Sequence, residues 1–319
     1  ALLGASAIAA VFLVGAAVFA VAVLRHWDLS SGSERQIGLE RTTHLVSTAV
    51  GFVLTIEAAS LVLFAFQADR MAPLFVGAMC AVGTLQANVW GFPALWAKIL
   101  VFFAAFVWVA VDRADGRTRD HALIRAKHVG LLLLAPLVLA EGAIELAYFA
   151  GLRANTITSC CGKLFGEDKP DLGGDLASFD PMVALWLLGG TLAVAIGLGL
   201  VASRRRWAAV AHGLASLVVF AVALTAIVSA IAPYVYEQPH HHCPFCILKA
   251  EYGHVGFALY LPLFIATGAG LASAVLSLLR PARDVGAIAG LARTATFGHV
   301  VFAVVALVLV LTSGLTLAV

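Results

Sequence analysis

Apolar runs of twenty or more residues recur along the whole chain, and no other property limits its fold as sharply. Wound at ~1.5 Å per residue, such a run matches the ~30 Å hydrocarbon core of a bilayer. Lipid admits only helices or closed barrels, and the alternating ten-residue pattern of barrel strands is missing here. Spans are read at about 2–24, 44–66, 92–111, 128–150, 181–202, 207–233, 252–279 and 298–318. The expected fold is an all-α polytopic membrane protein of eight transmembrane helices, one integral domain over 1–319. A further apolar stretch near 73–91 is broken by Gly77, Gly83, Gln86, Asn88 and Trp90. Those polar groups are costly against lipid, so a re-entrant or interfacial segment is expected there. The first run has no basic residue before it and is followed by Arg25, so it reads as a span rather than a signal peptide.

Charge sets the expected orientation. Loops 25–43, 112–127, 203–206 and 280–297 carry 14 of the 20 Lys and Arg residues, which assigns them to the cytoplasm. The remaining segments 67–91, 151–180 and 234–251 then face outward, the periplasm if the membrane is a bacterial inner one. All five cysteines fall in them: Cys80 in the first, Cys160 and Cys161 in the second, Cys243 and Cys246 in the third. A net charge of +2, sorted by membrane side and without a basic stripe, gives no reason to expect nucleic acid as a partner.

A repeat appears once the spans are aligned. His44, His128, His212 and His299 each begin a helix running from inside to outside, and thirteen residues after them stand Glu57, Glu141, Thr225 and Thr312. Four repeated hairpins, starting near 1, 92, 181 and 252, account for this register. The histidines are read either as interfacial anchors in lipid headgroups or as ligands of haem b or a quinone, since neutral imidazole is a common axial ligand. Glu57, Glu141, Glu145 and Lys98 lie within spans, where ionisable groups face a cavity, a proton path or one another. The alternative is a neutralising Lys98–carboxylate pair that only fixes packing.

The most specific motif is His240-His241-His242-Cys243-Pro244-Phe245-Cys246, placed outside a helix expected to continue through Glu251, Tyr252 and His254 into the membrane. Helix dipole and protonated imidazoles would favour thiolate, so Cys243 is expected to attack disulfides and Cys246 to resolve the mixed intermediate. The motif resembles the membrane thiol oxidases of the DsbB and vitamin K epoxide reductase type over Cys243 to roughly Lys249. That resemblance implies electrons passing from an outer thiol, such as that of a periplasmic thiol protein, through Cys243 and Cys246 to a membrane quinone. The chain departs from those families in its helix number and in its second pair, the adjacent Cys160-Cys161. Neighbouring Cα atoms ~3.8 Å apart fall below the ordinary disulfide range, so one of that pair is expected to join Cys80 or the Cys243/Cys246 site.

Three functions are carried forward. The first is thiol–disulfide exchange coupled to a quinone, with Glu57 or Glu141 near the acceptor and Cys80, Cys160 or Cys161 as relays. The second is Cu or Zn binding or transport through His240, His241, His242, Cys243 and Cys246. The third is a membrane subunit of a respiratory assembly holding haem b or quinone on the four repeat histidines.

Overall fold

The structure, a computed structural model, describes residues 2–28, 31, 33–117, 121–154, 156–158, 178–279 and 285–315. Helices account for most of them: α1 (Leu2–His26), α2 (Glu34–Met71), a short α3 (Ala81–Leu85), α4 (Gly91–Gly116), α5 (Ile124–Ala150), α6 (Pro181–Ala202), α7 (Arg206–Ala226), a short α8 (Ala232–Tyr236), α9 (Val255–Leu279) and α10 (Val285–Thr312). Eight spans are long and apolar enough to cross a membrane. The all-α polytopic fold follows, and the described residues form no strand, only an isolated bridge between Val76 and Ile157.

Several helices overrun the apolar runs that announce them. α2 begins at Glu34, ten residues before His44, because Gln36, Leu39 and Thr43 keep one helical face occupied through the polar stretch. Polar Ser33 and Gln36 close its start, with Ser33 Oγ accepting from the Gln36 amide at 3.3 Å. α6 starts at Pro181: the Asp180 carboxylate accepts from the Val183 amide at 2.9 Å and the proline fills a first-turn position that needs no N–H.

The chain forms two compact units. The first comprises residues 1–66 and 88–152, thus α1, most of α2, α4 and α5. Its core takes Leu13, Val50, Leu54, Val101, Trp108, Leu131 and Val138, one or more from every long helix. The second comprises residues 67–87 and 153–319. Its spans neighbour one another in the cyclic order α6, α7, α9, α10. Where α7 meets α9, a Cβ on Gly213 would lie 2.9 Å from the Gly270 carbonyl oxygen, so small residues set how closely these backbones approach.

Segment 73–91 is no ninth span. It is a turn at Ala72–Leu74, an extended stretch through Cys80, the five-residue α3 and a turn into α4.

Candidate functional site

Cys80 and the Cys243/Cys246 pair lie in loops separated by four membrane crossings, an even number that returns the chain to the same side. Local chemistry then brings them together. Gly77 turns the chain at φ +85°, and its missing Cβ leaves the space filled by the Thr158 carbonyl oxygen. The Thr158 amide donates to Val76 O at 2.9 Å, and Cys80 follows in an extended conformation, 1% exposed.

The Cys243-Pro244-Phe245-Cys246 loop is held by aromatic hydroxyls. Tyr236 on α8 donates to Cys243 O at 2.5 Å and Tyr260 on α9 donates to Pro244 O at 2.8 Å. A π-helical turn at Ile227–Ile231 provides a third anchor. In that register Val228 O would accept from residue 233, which is a proline without an N–H, and His242 Nδ1 lies 3.0 Å from this oxygen instead. Lys249 closes the site: its ammonium donates to Met79 O at 3.1 Å and stands 3.5 Å from Asp69.

The outcome is three sulfurs in one place. Cys80 Sγ and Cys243 Sγ are 3.1 Å apart, and Cys246 Sγ completes a set within 4.8 Å of one another. All three are buried thiols. Hydrogen bonds from the Cys243 and Cys80 thiols, helped by the Lys249 ammonium, hold Cys246 down at about 4. Cys243 is driven the other way, by its hydrogen bonds to Cys246 and Cys80 and by burial. Burial works against the Lys249 ammonium, but Asp69 and Cys246 outweigh it and raise its pKa.

Two expectations change here. The motif does not open into a transmembrane helix: Cys246–Leu248 and Ala250–Tyr252 are single 3-10 turns, and Gly253 and His254 are left-handed before α9 starts at Val255. With no long helix behind the thiols, the source of acidity is sulfur hydrogen bonding and Lys249, and it acts on Cys246 rather than Cys243. The histidine run also leaves the sulfurs. His240 is exposed, His241 stacks on Tyr236 with ring centres 4.1 Å apart, and His242 faces Val228 O. Among the described residues, the group able to share a metal is Cys80, Cys243 and Cys246. Cys160 and Cys161 lie outside the described residues.

The side chains at the four register positions have different surroundings in the two units. In the first, Glu57 from α2 and Glu141 from α5 converge on Lys98 of α4, at 3.3 and 2.7 Å, and Glu145 joins at 3.1 Å. Ser6 of α1 donates to Glu145 at 2.9 Å and Lys98 donates to Ser60 at 3.0 Å. This is three carboxyl groups around one ammonium, not the neutral pair considered from sequence. Their counterparts Thr225 and Thr312 in the second unit bond only to carbonyls one turn back, Ala221 O and Val308 O. The histidines divide too. His44 is exposed, and His128 is buried with Nδ1 2.7 Å from Ile124 O. His212 and His299 are fully buried with ring centres 5.9 Å apart, and His212 Nδ1 lies 2.8 Å from Ala195 O.

Sequence reading did not mark Ser6, Ser60, Asp69 or Lys249. Lys249 did leave a signal, as one of six basic residues outside the basic loops. Compared with protein-family models, curated proteins and solved structures, the chain has no match.

Proposed function

We propose that this protein is a membrane thiol–disulfide oxidoreductase whose three-sulfur site passes two electrons from an external dithiol to a membrane quinone. The observation that carries this reading is the approach of Cys80 to Cys243, at 3.1 Å, with Cys246 in the same buried cluster. Three thiols in contact allow a disulfide to move between partners, whereas two allow only opening and closing.

In the oxidised protein the bond joins Cys243 and Cys246. A substrate thiolate attacks Cys243 Sγ, a mixed disulfide forms, and the bonding pair leaves with Cys246 as thiolate. Cys246 suits that role because its acidity makes it the better leaving group. The substrate's second thiol attacks the substrate sulfur of the mixed disulfide and releases Cys243, which takes up a proton. Cys243 remains as thiol and Cys246 as thiolate, and the substrate has lost two electrons and two protons, one of which has passed to water. Reoxidation passes two electrons to the quinone, which takes one proton from Cys243 and one from water to become quinol, and restores the bond. Cys80 can attack Cys243 in the oxidised site, forming Cys80–Cys243 and freeing Cys246, which stores the oxidising bond in a second position.

The test is differential alkylation with mass mapping of the full chain, equilibrated with a dithiol and then with a quinone analogue. Disulfides among Cys80, Cys243 and Cys246 should form with quinone and open with dithiol. All five cysteines in one unchanging state would overturn the reading, and the same map shows whether Cys160 and Cys161 join the exchange.

A second reading draws on the same sulfurs. Three thiolates within 4.8 Å of one another suit trigonal binding of Cu(I) or a thiolate-rich Zn(II) site. Metal analysis of the purified chain separates the two, since stoichiometric metal lost in Cys80→Ser supports the metal reading.

A further inference from the structure

The first unit holds its own ionisable groups, and no cysteine belongs to it. Lys98, Glu57, Glu141 and Glu145 are each at most 3% exposed and lie within spans. With Ser6 they draw on all four long helices of the unit: Ser6 from α1, Glu57 from α2, Lys98 from α4, Glu141 and Glu145 from α5. The neighbours are apolar or neutral. The Phe64 ring lies 5.9 Å from the Lys98 ammonium, and the ring of Tyr148, the other titratable side chain nearby, packs on Phe64 at 5.7 Å.

Fully ionised, three carboxylates and one ammonium leave two uncompensated negative charges on side chains that are almost wholly buried, and two such charges are too expensive to bury. The donor count agrees. The hydrogens of Lys98 and the two serine hydroxyls do not reach every acceptor, and Glu57 Oε2, Glu141 Oε2 and Glu145 Oε1 are buried with no donor among the described residues. A proton on a carboxyl group solves both problems at once, because it cancels a charge and turns an acceptor into a donor. A bound metal cation would cancel charge but would have to share the centre of the site with the ammonium, already 2.7 to 3.3 Å from all three carboxyl groups.

We infer that Glu57, Glu141 and Glu145 around Lys98 form a proton-binding site within the membrane, balanced in charge when it holds two exchangeable protons. The ammonium serves as a resident cation that keeps the third carboxylate ionised. Because the protons sit among three carboxyl groups that share one donor, they can pass between Glu57 on α2 and Glu141 or Glu145 on α5 without a charge leaving the site. This gives the unit the elements of a proton relay, and it is independent of the thiol reading.

The experiment is infrared difference spectroscopy of the full chain in lipid nanodiscs, with glutamate carrying carbon-13 at the side-chain carboxyl. The expected result is a protonated carboxyl band at neutral pH that shifts with the label, shifts again in deuterium oxide, and persists in Cys243→Ser. It should weaken by about half in Glu141→Gln, since one of two protons goes. If that variant does not fold, Glu57→Gln serves, and the labelled native chain gives the primary readout unaided. Absence of the band at neutral pH, or a band that never shifts in deuterium oxide, overturns the inference. So does a band abolished when sodium replaces choline, which would assign the site to a metal cation.

Discussion

If Cys246 ionises at about 4, its role in disulfide chemistry is decided by magnitude. At pH 7 such a group is ~99.9% thiolate, against ~3% for an ordinary thiol near 8.5, a gain of ~30-fold in the reactive form. Intrinsic nucleophilicity falls with acidity at a Brønsted coefficient of ~0.45, which across the same gap costs ~100-fold. The losses win, so Cys246 should attack about threefold more slowly than a free thiol while departing much faster from a disulfide. Cys243→Ala removes the largest contribution to that acidity, and Lys249→Met removes the ammonium. The assay is the pH dependence of Cys246 alkylation in the reduced full chain, followed by mass spectrometry. Native protein should show an inflection near 4; Cys243→Ala should move it far toward the ordinary thiol range, and Lys249→Met less far. An inflection in the ordinary range for native protein, or one that Cys243→Ala leaves in place, refutes the reasoning.

Gly77→Ala places a Cβ against the Thr158 carbonyl in a left-handed conformation, at a cost of roughly 1–3 kcal/mol, and should lower the thermal midpoint while raising alkylation of Cys80. Lys98→Met strands three buried carboxyl groups and should cost about 3–5 kcal/mol, read as a lower thermal midpoint, with Lys98→Arg milder because charge is kept. If metal is bound, His240→Ala, His241→Ala and His242→Ala should each leave its stoichiometry unchanged, whereas Cys80→Ser should abolish it, because the imidazoles point elsewhere.

Span existence was legible because a bilayer imposes a length and an apolar content that survive without any knowledge of neighbours. Helix ends were less so. α2 runs ten residues beyond its apolar run at the start, since a helix leaving the membrane keeps its hydrogen bonding where polarity alone signals a loop. The motif at Cys243–Cys246 was legible as chemistry, but its backbone was not. Left-handed Gly253 and His254 break it from α9, and Gly253, which suits such a turn, is a single residue that a helix also tolerates. The histidine run misled for a physical reason: a stacked Tyr236 ring and the carbonyl left over at a π-turn compete successfully for imidazoles that sequence spacing places beside the sulfurs.

By itself the order of residues determined an eight-span helical membrane protein, the grouping of cysteines in alternate loops, and carboxyl groups within spans. Each of these follows from local hydropathy or from counting crossings. Only the tertiary structure decided that Cys80 meets Cys243, that Cys246 is the acidic thiol, and that Lys98 gathers three carboxyl groups rather than one. Those outcomes depend on which side chains from distant helices share a few ångströms of dry space, where hydrogen bonds and charges act at full strength and no pattern along the chain records their distance.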